Sequence, residues 1–145
     1  MITPLYFADG SKVDRCIVGE GSEIYGEVYN SVIGSGVVIE EGTVVRDSII
    51  MSGTRIGRNC TIDKAIVAEN VAVGDNVVFS VGEYAESALN PKVYAFDLVT
   101  VAENSVIPSD VQIGKNTAIV GKTEAADYPN GLLASGQAIV KAGEM

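Results

Sequence analysis

The side chains best able to do chemistry are two thiols, Cys16 and Cys60, and five cations without an evident carboxylate partner: Arg15, Arg55, Lys92, Lys115 and Lys122. A thiolate is a nucleophile or a metal ligand, and clustered cations could hold a small anionic effector. Neither constellation is complete. The chain has no histidine, so no imidazole stands ready to take a proton near neutral pH. No CxxC pair occurs, and a zinc site lacks ligands. The glycine-rich stretches GEG and GSG do not open a helix that could cradle phosphate, and no nucleophile elbow appears. The residues therefore predict no catalytic, cofactor-binding or metal position in this chain.

The elements that hold these residues follow from composition. Of 145 residues, 47% are apolar, mostly Val, Ile and Ala, with aromatics at 6% and no Trp. The length fits one domain, and β-branched side chains favour strands. A net charge of −9 repels phosphate backbones and anionic lipid, so neither nucleic acid nor a membrane is expected as a partner. No apolar run approaches the ~18 residues of a membrane helix and no signal peptide precedes Ile2, which gives a cytoplasmic expectation. The opening Met-Ile-Thr-Pro-Leu-Tyr reads as a cut inside a longer chain.

Internal repeats settle the fold class. Segments starting at Ser31, Ser48 and Ala65 align without gaps at a period of 17, preceded by a shorter copy from Cys16. Large aliphatics recur in columns: Val18, Ile33, Ile50, Val67; Ile24, Ile39, Ile56, Val73; Val45, Ile62, Phe79. Spaced five or six apart, they predict three short strands per coil around a triangular prism, with coils stacking at about 4.8 Å. Two positions before each lies a smaller inward residue: Cys16, Ser31, Ser48, Ala65; Val37, Thr54, Val71; Thr43, Cys60, Val77. Both cysteines thus read as filler. Gly19, Gly34, Gly57 and Gly74, with Gly21, Gly36, Gly42, Gly53, Asn59, Asn70 and Asn76, mark sharp corners where φ > 0 is cheap.

The domain reading is a linker over 1–12, a β-helix over 13–119 interrupted by a loop at about 82–98, and a capping tail over 120–145. The loop holds Pro91 and no inward column. The period resumes at Val101, Ile107, Ile113 and Ile119, and the turn Asp-Tyr-Pro-Asn-Gly opens a tail expected to fold over the helix end. Along the coils, Arg46 with Asp63, Asp47 with Lys64, and Arg58 between Glu41 and Asp75 read as solvated pairs worth ~0–1 kcal/mol each.

Outward positions are mixed on two faces. On the remaining face they are Ile17, Val32, Ile49 and Ile66, an apolar strip that the prism core does not need. Contiguous exposed apolar residues often mark a partner surface, so these four are the predicted interface.

The stretch GEVYNSVIGSGVVIEEGTVVRDSIIMSGTRIGRNCTIDKAIV, then ENSVIPSDVQIGKNTAI and the ending DYPNG…SGQAIVKAGE, resembles the C-terminal domain of bacterial glucose-1-phosphate adenylyltransferase. The resemblance runs from about Pro4 to the end. It implies an all-β, single-stranded left-handed parallel β-helix of hexapeptide repeats. It also implies an N-terminal catalytic domain, absent here, that makes ADP-glucose and pyrophosphate from ATP and glucose 1-phosphate for glycogen synthesis. Mg²⁺ and ATP belong to that domain, with no cofactor in this chain. The implied role is packing on the catalytic domain, helping to form a homotetramer and contributing to binding of a small anionic effector. Hexapeptide acyltransferases and γ-class carbonic anhydrases depend on histidines that this chain lacks. The alternatives are a β-helix appendage of another sugar-nucleotide pyrophosphorylase and a free-standing scaffold or interaction protein.

Overall fold

Short strands of two to four residues, each ended by a sharp corner, leave the chain no way to bury its β-branched side chains except by stacking coil on coil. The computed structural model describes residues 5–141 and shows that arrangement. It is all-β, a solenoid of about eight turns consistent with left-handed winding. Three parallel sheets of six, seven and seven strands form the walls. We name each wall by its first outward residue. The Tyr6 face runs from Tyr6–Phe7 to Val106–Ile107, the Lys12 face from Lys12–Asp14 to Leu132–Leu133, and the Ile17 face from Ile17–Val18 to Ala138–Val140.

The inward columns close the core. Ile24, Ile39 and Ile56, then Val28, Val45 and Ile62, then Ile33, Ile50 and Val67 are all fully or almost fully buried. Each such side chain contributes ~1.5–3 kcal/mol relative to exposure. The resumed period holds as well, with Val101, Ile107, Ile113 and Ile119 buried. The smaller inward positions are filled as their size requires, and the polar ones among them are bonded. The Ser48 hydroxyl, for example, accepts the Ala65 N–H at 3.1 Å and donates to the Arg46 carbonyl at 2.6 Å. No buried side-chain nitrogen or oxygen among the described residues lacks a partner.

Several expectations change. Residues 1–4 of the expected linker lie outside the described residues, but the rest of it is already solenoid. Tyr6–Phe7 pairs with Glu23–Ile24, and Lys12–Asp14 with Glu27–Tyr29. The described part of the tail continues the stack. After two 3-10 turns, Ala125–Asp127 and Pro129–Gly131, it lays Leu132–Leu133 beside Gln112–Ile113 and Ala138–Val140 beside Ala118–Val120, so it forms a further coil. Tyr128, buried between the two turns, joins the core and bonds Thr123 at 2.8 Å. Residues 142–145 lie outside the described residues.

The glycines divide into two kinds. Gly36, Gly42, Gly53, Asn59, Asn70 and Asn76 have left-handed φ, as the corners require. Gly19, Gly34, Gly57 and Gly74 do not. Their cause is proximity: a Cβ on Gly34 would stand 2.6 Å from the Ser52 nitrogen in the next coil. Left-handed φ also occurs at Arg15, Asp47 and Lys64, on the corner between the Lys12 and Ile17 faces.

Between Gly82 and Leu98 the chain leaves the strands and packs on that same corner. The buried Asn116 holds both ends of the excursion, donating to the Ala85 carbonyl at 2.9 Å and accepting the Asp97 N–H at 2.8 Å. The Ala88 N–H meets the Gly136 carbonyl at 2.7 Å in the final coil.

Candidate contact surface

Parallel register places Ile17, Val32, Ile49 and Ile66 on successive rungs of one sheet, continued by Thr100 and Ala118. Because side chains alternate across a strand, these residues point away from the core while Val18, Ile33, Ile50 and Val67 point in. Ile17 is 70% exposed, Val32 44% and Ile49 42%. Ile66 is half-buried and Ala118 buried. A shallow hollow follows the strip, bordered by Arg15, Asn30 and Asp47. The Asn30 amide donates to the Asp47 carboxylate at 2.8 Å and stiffens that border. Such a surface can bind but offers no reacting group.

The other candidates are not gathered anywhere. Arg15 sits on the corner beside Asp14 at 3.7 Å, both side chains largely in solvent. Arg55, expected to be unpaired, forms an ion pair with Glu40 on the Tyr6 face. Lys92 lies in the excursion, Lys115 on the last corner before the Thr117–Val120 strand, and Lys122 bridges to Val106 on the Tyr6 face. The expected couplings of Arg46 to Asp63, Asp47 to Lys64 and Arg58 to its neighbours are not ion pairs among the described residues, where the three pairs are Arg15–Asp14, Arg55–Glu40 and Lys141–Asp127. Arg46 instead stacks over the Tyr29 ring at 4.8 Å, and it is the backbone N–H of Arg58 that donates to the Asp75 carboxylate, at 2.8 Å. Arg46 and Asp63 share register without an ion pair because the guanidinium finds the aromatic face first.

Both cysteines are free. Cys60 is buried, its Sγ donating to the Gly74 carbonyl at 3.1 Å, and burial pushes its thiol above the usual range. Cys16 is only half-buried, because its coil has few neighbours below. Among the described residues no group of three or more His, Cys, Asp or Glu could hold a metal ion, and no helix is long and apolar enough to cross a membrane. The residue reading missed the apolar crest of the excursion, where Tyr84, Leu89, Val93 and Phe96 are exposed. Its only sequence signal was the density of apolar residues in a stretch without period.

Stacked three-strand coils, filler columns and an apolar outer strip define a hexapeptide-repeat β-solenoid module. The chain belongs to the GlmU-like, C-terminal hexapeptide family, whose profile matches residues 8–91. It is also similar to curated glucose-1-phosphate adenylyltransferases. The protein of that name from Lachnospira eligens is 62% identical over 143 residues, which is 99% of this chain and 34% of the relative. Those from Thermotoga sp. strain RQ2 and Acetivibrio thermocellus are 58% and 40% identical, over 94% and 96% of this chain. The chain spans about a third of these relatives' length, and the match falls in their C-terminal third.

Proposed function

We propose that this chain is the C-terminal assembly and regulatory module of a cytoplasmic glucose-1-phosphate adenylyltransferase. The carrying observation is the 62% identity that runs through 99% of the chain. A shared hexapeptide pattern alone would fit any appendage of this type; identity that continues through the excursion and the tail favours the adenylyltransferase. In this reading the chain does not itself react. ATP, glucose 1-phosphate and Mg²⁺ bind an N-terminal catalytic domain, which supplies the phosphoryl chemistry through positioning and charge neutralisation. This chain supplies the Ile17 strip, covered by another subunit or by that catalytic domain, and contributes to binding of a small anionic effector.

The experiment compares the purified chain with the protein encoded by its complete reading frame, each given ATP, glucose 1-phosphate and Mg²⁺. ADP-glucose and pyrophosphate are expected from the complete protein only. Product from the chain alone, free of host enzyme, would overturn the non-catalytic role, and no product from the complete protein would overturn the adenylyltransferase reading.

A further inference from the structure

The chain holds eight asparagines, and the fold treats one of them differently. An asparagine loses its side-chain amide when the backbone nitrogen of the next residue reaches its Cγ, so the residue that follows decides its fate. Six of the eight, Asn30, Asn59, Asn70, Asn76, Asn104 and Asn116, are each followed by an inward residue, and Ser31, Cys60, Val71, Val77, Ser105 and Thr117 are all buried. The Cys60 and Val71 N–H groups are also tied to the coil before, donating to the Thr43 and Thr54 hydroxyls at 3.0 and 3.1 Å. Turning such a nitrogen toward the preceding side chain pulls its residue out of the core. Asn90 is followed by Pro91, which has no N–H to give up.

Asn130 stands apart. Parallel register from Leu132 through Gln112, Val78 and Thr61 places it in the corner column of Asp110, Asn76 and Asn59, and it shares their left-handed φ, at 54°. The position after that corner holds Cys60, Val77 and Val111 on the earlier coils, all buried, but Gly131 on the last. Glycine brings no side chain to the core to anchor its nitrogen and crowds no approach to it. Asn130 is exposed, Gly131 is half-buried, and the Gly131 N–H donates within its own turn, to the Tyr128 carbonyl at 2.9 Å.

We propose that Asn130 is a modification site, where deamidation through Gly131 turns the last corner into isoaspartate as the protein ages. The Gly131 nitrogen attacks Cγ of Asn130, the Cγ–Nδ2 bond breaks, and ammonia leaves with the proton that the nitrogen gives up. Solvent water then opens the resulting cyclic imide. Addition at Cγ gives aspartate. Addition at the main-chain carbonyl frees that carbonyl as a carboxylate and carries the chain on through Cβ and Cγ. This second product puts an extra carbon into the backbone just before Gly131. The pairing of Leu132–Leu133 with Gln112–Ile113, and of Ala138–Val140 with Ala118–Val120, depends on the length of that corner, so isoaspartate loosens the coil. The native turn slows the first step without blocking it. With ψ of Asn130 at 29° the Gly131 nitrogen is held toward Tyr128 and must swing to reach Cγ, so the rate follows local opening of the last coil.

The test keeps the purified chain for weeks in mildly alkaline buffer and follows its tryptic peptides by mass spectrometry. Trypsin frees Thr123–Lys141, in which Asn130 is the one asparagine, and separates it from the peptides that carry Asn30 and Asn104, the two followed by serine. In the folded chain Thr123–Lys141 should gain the mass of an amide turned to an acid, chiefly as isoaspartate, roughly tenfold or more ahead of the other two peptides. In urea that gap should narrow, because unfolding releases the nitrogens of Ser31 and Ser105 from the core. Amide exchange at Ala138–Val140 should quicken in the isoaspartate fraction and stay near the parent in Asn130→Asp, which carries the charge without the extra carbon. Three results would overturn the proposal: Asn130 intact in the folded chain after the urea sample has converted it, a gap no wider in the folded chain than in urea, or unaltered exchange in the isoaspartate fraction.

Discussion

The Thr43 hydroxyl accepts the backbone N–H of Cys60, one coil further on, at 3.0 Å, and donates its own hydrogen to the Gly57 carbonyl at 2.5 Å. Both bonds lie in the core, where a lost partner leaves a buried polar group at about 1–3 kcal/mol. Thr43→Val keeps the shape, and Val77 shows that valine fits this column. We expect it to lower the unfolding free energy from urea titration by that amount, with a lower midpoint, while Thr43→Ser stays close to the parent. An unchanged midpoint in Thr43→Val would mean water reaches the corner.

Close stacking makes a similar forecast for glycine. At Gly34 a Cβ would press on the backbone of Ser52, 2.6 Å away, whereas at Gly36 it would meet open space and only the φ of +64° resists it. Gly34→Ala should therefore be the more damaging change, at roughly 1–3 kcal/mol or beyond, with Gly36→Ala near 1 kcal/mol. Equal thermal melts for the two variants would contradict the crowding.

The thiols should separate kinetically. With Cys60 buried and its thiol pushed up by desolvation, its labelling waits on opening of the core. Cys16, half-exposed at the first coil, should react in the folded protein. Mass spectrometry after a brief maleimide pulse should find the label on Cys16, and early label on Cys60 would refute the inward placement.

Acid should loosen the last coil first. The Glu124 N–H and then the Lys141 ammonium, at 2.9 Å, hold the Asp127 carboxyl below its usual range. A depressed carboxyl stabilises the fold above its unfolded value, and the contribution disappears as pH falls through the folded one. Lys141 is shifted up, first by the same bond to Asp127, so its contribution is complete below the usual ammonium range and fades only in strong alkali. Protection factors of the Ala138–Val140 amides should fall as the pH drops below the ordinary carboxyl range, about 4. Asp127→Asn should flatten that dependence; an unaltered profile would assign the acid response elsewhere.

Ile49→Glu should change the unfolding free energy of the folded monomer by no more than about 0.5 kcal/mol, since its side chain points away from the core. In the complete protein the same change would bury an unpaired charge at any contact that stayed closed, so assembly measured by sedimentation should fall. Intact assembly would reduce the strip to strand propensity on a solvent face.

Much of this was legible because a solenoid repeats its physics at a fixed interval. Ile33, Ile50 and Val67 announce one buried column, and the fillers two positions earlier follow from it. Legibility ended where the residue type or the interval changed. Tyr6–Phe7 stand 17 before Glu23–Ile24, but their aromatic rings hid the match to an aliphatic column. Leu132 and Ala138 lie 20 after their partners Gln112 and Ala118, displaced by the corner that carries Tyr128. Arg15 and Lys64 gave no warning of left-handed φ, since nothing in a long basic side chain asks for it. The strip itself was visible as four branched residues, but not its continuation by Thr100 and Ala118 beyond the excursion.

The buried hydroxyls that accept an N–H from another coil all do so in one direction along the chain. Ser22 receives Val37, Ser31 receives Ser48, Thr43 receives Cys60, Thr54 receives Val71, and Ser105 receives Gly121, so each acceptor belongs to the earlier coil and each donor to the later one. Peeling from the C-terminal end releases N–H groups straight into water and leaves behind hydroxyls that can rotate to meet it. Peeling from the N-terminal end strips the acceptors from coils that remain packed, stranding their N–H groups inside the wall. The two ends of a nearly periodic rod are therefore not equivalent: the rod frays more readily from its last coil than from its first. During synthesis the same polarity lets each finished coil act as a template for the next.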